Sequence, residues 1–393
     1  MSTPASSPYP LAGVRVLDLT RLLPGGFCTL ILADMGADVV KVEDPHGGDY
    51  SRTMPPFTRL TPEGPPVGAV YAALNRGKRS VVVDLKSDEG RRALLDLTAA
   101  ADVLVEGFRP GVMDRLGVGP ATLLARNPRL VYCALTGYGQ SGPLAAATGH
   151  DLNYIGTVGV LDLNGNPSEA PAIPGVQVAD LSGALVATLG IVTALFRRNA
   201  TGRGGMVDTS MAEAAFALTS LPWSEWAATR QPVQRGSHIL SGGWACYNVY
   251  RARDERYLAL GCLESKFWAT FAAAVGHPEW AARQFDPAEQ PALRQTVAHL
   301  FAQRSSDEWL ALAQDHDIPL TLVNRLDEVA ADPQLNARGV FFDSAVGLTA
   351  RTPVRIDDLA PAATTPPPGQ GEHSVADVLA DWQRREQATR ARS

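Results

Sequence analysis

The chain lacks paired cysteines. Its four, Cys28, Cys133, Cys246 and Cys262, stand far apart and form no CxxC pair. Neither a structural zinc site nor a disulfide framework is expected, and no metal site is predicted. Reduced thiols and a cytoplasmic location are the plain reading. Excess charge is also absent. A net charge of −6 over 393 residues argues against a nucleic-acid binder, which is usually basic. The opening MSTPASSPYP has no basic segment leading into an apolar one, so no secretory signal is read there. No apolar run is expected to span a bilayer, and the final Ala-Arg-Ser is not a lipidation signal. Two phosphate signatures are missing as well. After the first apolar segment the chain reads LTRLLPGGFC, which is not GxGxxG, and GxxxxGK[ST] does not occur. Both absences argue against nicotinamide or nucleoside-triphosphate chemistry.

What is present is an ordinary globular balance, 45% hydrophobic against 19% charged, able to bury a large core. Residues 1–10 are small, polar and Pro-rich, and read as disordered. Residues 13–19 (GVRVLDL) then have a buried-strand pattern, Pro24-Gly25-Gly26 breaks it, residues 27–35 read as a helix, and residues 38–43 (DVVKVE) as a strand. The rhythm repeats: strand 79–85, helix 88–101, strand 102–106, short helices 111–116 and 121–127, strand 129–136. Such alternation predicts an α/β fold with a doubly wound parallel sheet. A long apolar helix is predicted over 181–197 and another over 208–221. Residues 245–262 read as a β-hairpin, and helices fill 265–315. The predicted layout is a large α/β domain over 11–222, a small α+β domain over 223–330, and a return to the large domain over 331–393.

Few residues carry chemistry. His150 stands in TGHDLNY, where Asp151 reads as the N-cap of a following helix. A histidine there would sit beside a sheet end, where α/β proteins place their sites; a loop histidine bonded to its neighbours is the plainer alternative. Asp180, in VADLSG, reads locally as an N-cap, with a base or nucleophile as the functional alternative. Glu264, in GCLESKFW, ends an apolar strand and is either a cap or a site carboxylate. Arg76, Lys78, Arg79 and Lys86, with Arg109 and Arg115 further on, supply cations suited to a diphosphate or equally to a solvated rim.

Taken together, these segments resemble the family III CoA-transferases, a group that includes α-methylacyl-CoA racemase. The resemblance runs through LADMGADVVKVEDPHGGD, NRGKRSVVVDLK, ADVLVEGFRPGVMDRLG, NPRLVYCALTGYGQSGP, VADLSGALVATLGIVTALFRR and GEHSVADVL. It covers nearly the whole chain. It implies a large Rossmann-like domain, a smaller α+β domain and an interlocked homodimer. It also implies an acyl-CoA substrate and no cofactor beyond the coenzyme A that substrate carries. Neither nucleic acid nor membrane is an expected partner.

Two chemistries share such a scaffold. In transferases an aspartate at the position of Asp180 attacks the thioester. In racemases that aspartate is paired with a histidine across the α-carbon. GHDLNY looks like the racemase segment, and no GGGGQ-type loop of transferases is present. The resemblance gives His150 and Asp180 as the acid–base pair, with Glu264 assisting the histidine, although Ser265 stands where racemases commonly have proline. It places CoA on Val83, Asp84, Leu85, Lys86, Gly107, Phe108, Arg109, Arg115, Gly149, Asp151 and Tyr154. Backbone N–H groups near Asp151 or Asp180 would hold the enolate oxygen. The alternatives are a true CoA-transferase and a non-catalytic acyl-CoA binder. Trp223, Trp226 and Trp244 could line an apolar acyl site, with core packing as the plainer use.

Overall fold

Strands apolar on both faces must be covered on both faces, and these are. A computed structural model describes residues 8–61, 63–357 and 359–390; residues 1–7 of the segment read as disordered lie outside the described residues. Six strands form one all-parallel sheet: β1 (Arg15–Leu19), β2 (Asp38–Glu43), β3 (Arg79–Val82), β4 (Val103–Glu106), β5 (Val131–Thr136) and β6 (Gly205–Ser210), in the order β3-β2-β1-β4-β5-β6. The chain fills the sheet in one direction from β1 to β3 and then restarts at β4 on the other side of β1. The switch point therefore lies between β1 and β4, where ligands bind in doubly wound sheets.

Helices α1 (Leu22–Asp34), α2 (Asp88–Ala100), α3 (Val112–Arg115), α4 (Asp151–Thr157), α5 (Val178–Thr201) and α6 (Met211–Ala217) belong to the same unit. One core joins Leu17, Val40, Val81, Leu104 and Tyr132 of the sheet to Leu94 and Leu97 of α2, and to Val378 and Trp382 of the terminal helix Val375–Arg390. Each fully buried Leu or Val there contributes roughly 1.5–3 kcal/mol. The Trp382 Nε1–H donates to Asp38 at 2.9 Å, which fixes that helix to the start of β2.

Three expectations need correction. Pro24-Gly25-Gly26 does not end an element; it lies inside α1. Proline is tolerated in a first turn, where its missing N–H has no partner to lose. A Cβ on Gly25 would fall 2.1 Å from Thr20 Cβ, so close packing against the β1 end requires glycine there. The helix expected from residue 208 is preceded by an unforeseen strand, β6, whose exposure alternates over its first four residues. Finally, α5 is 24 residues long and contains an 18-residue stretch of mean hydropathy 1.8, long and apolar enough to cross a membrane by length and composition. Half of that stretch is buried, against α1, α6, β5 and β6.

A second unit comprises residues 159–174 and 219–335. Strands β7 (Tyr247–Arg251), β8 (Tyr257–Gly261) and β9 (Leu320–Leu322) form an antiparallel sheet in the order β9-β8-β7, with β7 and β8 the hairpin read from sequence. Its core is aromatic. Trp268, Phe271, Phe301 and Trp309 pack ring on ring, with Phe301 and Trp309 at 4.3 Å.

Candidate active site

The C-terminal ends of β1, β4 and β5 open into a cavity of about 1170 Å³, lined wholly by the first unit. It sits at the switch point. The loop after β1, the Gly107–Pro110 turn after β4 and the Gly137–Tyr138 turn after β5 form its floor, and His150, Asn153, Tyr154, Gln177 and Asp180 one wall.

Asp180 is the third residue of α5; the N-cap is Gln177, so the capping role read from sequence does not hold. The capping carboxylate is Asp151, from 28 and 29 residues away. Its Oδ1 accepts from Ala179 N–H at 2.7 Å and Asp180 N–H at 3.0 Å. Nor is Asp151 the N-cap of α4: His150 is, and its N–H donates to Asn153 Oδ1 at 3.0 Å. Asp151 thus ties the start of α5 to the start of α4 and orients the Asp180 side chain toward the cavity. It also uses the Asp180 N–H, which is therefore not open to an enolate oxygen.

Burial, reinforced by the neighbouring Asp151 carboxylate and opposed by His150, raises the Asp180 carboxyl to about 6. A carboxyl in that range exchanges protons near neutrality. His150 is exposed to the cavity and close enough for its field to reach Asp180. Tyr154 is buried beside them, and its hydroxyl donates to Gly149 O at 2.6 Å. Its ring occupies the space a Cβ on Gly137 or Gly149 would need, at 2.4 and 2.7 Å, so both turns require glycine. Burial first, and Asp180 second, raise its phenol to about 12.

Of the predicted CoA residues, Gly107, Phe108, Arg109, Gly149 and Tyr154 line the cavity. Val83, Asp84, Leu85, Lys86, Arg115 and Asp151 do not. The Val83 side chain is in the sheet core with Leu85 packed against it, Asp84 accepts from Lys86 N–H in the turn leading to α2, and Arg115 ends α3 in an exposed position. Arg76, Lys78 and Arg79 are structural rather than a phosphate rim. Arg76 is buried on Asp34 at 2.8 Å, Lys78 is buried on Asp18 at 3.1 Å, and Arg79 binds Asp38 at 2.5 Å. Glu264 belongs to the second unit, exposed at the N-cap of the helix Ser265–Ala274 with no side-chain cap bond. Trp223 and Trp226 of that unit pack on each other at 4.8 Å.

Sequence reasoning missed Glu106. It ends β4, and its Oε2 accepts from Phe108 N–H at 2.6 Å, setting the turn that carries Arg109. Burial, opposed by that bond and by Tyr132, raises it to about 7. The signal was present: a lone carboxylate closing the apolar run VLVE.

A carboxyl and a histidine thus share one cavity at the switch point, beside a turn bearing arginine. The chain belongs to CoA-transferase family III, which matches it over residues 11–374. It is similar to α-methylacyl-CoA racemase of Mus musculus, 36% identical over 376 residues covering 95% of this chain and 93% of that one. Acetyl-CoA:oxalate CoA-transferase of Acetobacter aceti is 34% identical, with 90% of this chain and 91% of that one covered. A CAIB/BAIF family protein from Brucella suis has the same fold, with a TM-score of 0.83 at 33% identity over 95% of this chain and 99% of that one.

Proposed function

We propose that the protein transfers the α-proton of a 2-substituted, typically 2-methyl, acyl-CoA thioester, as a racemase or epimerase. The observation that carries this reading is the pairing of His150 with a carboxyl raised to about 6 in one cavity. Inversion needs a group on each face of the α-carbon, because a single base returns the proton to the face it left. His150 takes the proton from one face while Asp180, protonated, gives one to the other; the roles exchange for the opposite enantiomer. A backbone N–H near Asp151, in the first turn of α4, is the donor we assign to the enolate oxygen; a donor of this kind contributes roughly 2.7–4 kcal/mol. No cofactor beyond the CoA of the substrate enters the scheme.

The test is proton exchange at the α-carbon of 2-methylacyl-CoA in deuterium oxide, followed by NMR. Wild type should exchange, and His150→Ala should lose at least about 10²-fold in rate. Equal exchange by both proteins would remove His150 from the reaction. A second reading has its own support in the similarity to an acetyl-CoA:oxalate CoA-transferase: Asp180 attacks the thioester and CoA passes to another carboxylate. Hydroxylamine capture of an acyl-enzyme at Asp180, without α-proton exchange, would establish it. Tight CoA binding with neither reaction would mark a non-catalytic binder.

CoA is placed against Gly107–Arg109. Arg109→Ala should weaken CoA binding about tenfold, the loss of one charge-assisted contact, and Arg115→Ala by less; calorimetric titration with CoA separates them, and the reverse order would move the phosphates toward α3. A homodimer in the cytoplasm completes the proposal. Leu185, Leu189, Val192 and Phe196 form an apolar stripe on α5 at 46, 66, 36 and 78% exposure, and the helix Ser220–Thr229 of the second unit has no buried residue. Apolar faces of this kind fit subunit contacts.

A further inference from the structure

Arg109 reaches the cavity with only its own backbone to aim it. It is exposed, and among the described residues its guanidinium has no hydrogen bond or ion pair, although its field reaches the Tyr154 phenol. The backbone is held from the sheet. Glu106, 3% exposed, closes β4, and its Oε2 accepts from Phe108 N–H at 2.6 Å. That bond spans the turn between the last strand residue and the residue before Arg109. The Phe108 side chain packs on the sheet core, and Val112 N–H donates to Arg109 O at 3.1 Å. Gly111, at a φ of +79°, then lets the chain turn into α3.

Glu106 stands in a row across the sheet. Leu19 of β1, Glu106, Ala134 of β5 and Asp208 of β6 are neighbours in register. Leu19 and Ala134 bring no charge. Asp208 accepts from Gln140 N–H at 3.2 Å, so it holds the turn after β5 much as Glu106 holds the turn after β4. Tyr132 of β5, whose hydroxyl donates to Glu106, Asp114 of α3 and Asp208 are the titratable groups that face it. Burial first raises the carboxyl to about 7; the two aspartates reinforce this, and the Phe108 N–H and Tyr132 oppose it. Glu106 therefore changes charge around neutrality.

We infer that Glu106 is a positioning residue for CoA: its ionised carboxylate holds the Gly107–Arg109 turn in the shape that presents Arg109 to a phosphate, and protonation loosens that hold. The inference rests on the placement of CoA against this turn. A hydrogen bond to an ionised acceptor is roughly twice as strong as one to a neutral acceptor. Phe108 N–H gains that strength only while Glu106 carries its charge. CoA is itself an anion, and Glu106 repels it. That repulsion acts through an open cavity, where charges are screened within about 8 Å, whereas the bond to Phe108 is buried. Positioning outweighs repulsion, and CoA binds more tightly when Glu106 is ionised.

The test is calorimetric titration with S-ethyl-CoA, a thioether that binds without reacting, at pH 6 and pH 8. Wild type, Glu106→Gln, Glu106→Ala and Arg109→Ala are compared. The CoA 3′-phosphate and the Asp180 carboxyl titrate in this range with every protein, so the ratio of variant to wild type is the quantity read. At pH 8 Glu106→Gln should bind about fivefold more weakly than wild type, the step from an ionised to a neutral acceptor. At pH 6 the two should agree within about twofold, because wild type is then largely protonated and the amide oxygen still accepts from Phe108. Glu106→Ala, with no acceptor, should bind more weakly than Glu106→Gln at both pH values. A Glu106→Gln ratio that is the same at both pH values overturns the proposal. So does a wild type whose advantage grows toward pH 6, since Glu106 would then act by repulsion, and so does a Glu106→Ala that matches Glu106→Gln. Should Glu106→Ala fail to fold, Glu106→Gln keeps the shape and the acceptor and carries the test. Arg109→Ala separates the two levels. If it weakens binding while Glu106→Gln does not, the positioning role alone falls; if it binds as wild type does, the placement of CoA on this turn falls with it.

Discussion

Replacing Asp180 with Asn should cut kcat/KM at pH 7.5 by about 10²–10⁴-fold, the range for loss of a positioned acid–base group, and should at the same time make the folded protein more stable. Both effects follow from one environment. The Asp180 carboxyl is raised to about 6 from an ordinary 3.8, by burial first and by Asp151 second. The fold therefore favours the protonated form. Its stabilising contribution is complete below about pH 4 and is lost as pH rises through about 6, so at pH 7.5 the ionised carboxylate is held against the preference of its surroundings. Asparagine removes that cost while keeping the shape. The gain is on the order of 1 kcal/mol once solvent screening at this partly exposed group is discounted. Urea midpoints at pH 7.5 and 4.5 check it. The variant should be more stable at the higher pH and level with wild type at the lower. A variant less stable at pH 7.5 would mean that Asp180 makes contacts its burial does not reveal. In the active enzyme the limb of kcat/KM against pH should lie near 6.

The fold was legible because parallel strands are buried on both faces and so write themselves as short apolar runs. GVRVL, DVVKVE and DVLVE each gave a strand, and the alternation with helices gave the sheet. What was not legible depends on contacts made across the chain. LLPGG reads as a break, yet the helix begins at Leu22 because Asp49, 27 residues on, receives its N–H and Thr20 packs on Gly25. Asp151 and Asp180 each look like an N-cap in their own neighbourhood. Only the folded chain shows that Asp151 caps the helix of Asp180 and leaves Asp180 available for chemistry. Tyr50, Met54 and Val70, which also line the cavity, stand in a stretch with no helix or strand period, so nothing local marked them. The lysines were the clearest lost signal. Lys41 lies within a buried strand and Lys78 just before one, a placement that requires partners.

Those partners lead to the largest expected loss of stability, from Asp18→Asn. Asp18 is fully buried in β1. Burial alone would raise its carboxyl, but the ammonium groups of Lys41 and Lys78, with the Thr20 and Thr29 hydroxyls, outweigh it and hold it well below the ordinary range. Lys78 Nζ lies 3.1 Å from Asp18 Oδ2 and also donates to Gly26 O, Thr29 Oγ1 and Asn75 Oδ1. Burial pushes it down to about 8, with Asp18 pulling the other way. Asparagine would leave that ammonium buried without its counter-charge. Breaking one side of a buried pair costs about 3–5 kcal/mol. Lys41 loses less, because Asp49 still holds it at 3.0 Å. The single variant should therefore unfold at a much lower urea concentration, and Asp18→Asn/Lys78→Met should regain most of the difference, since it removes the stranded charge as well. A single variant within about 1 kcal/mol of wild type would show that water reaches Lys78. A double variant as unstable as the single would show that the hydrogen bonds to Thr20 and Thr29, rather than the charges, hold the end of β1 in place. Thr20 and Leu22 line the cavity, so the same cluster that keeps β1 and α1 together also shapes that cavity.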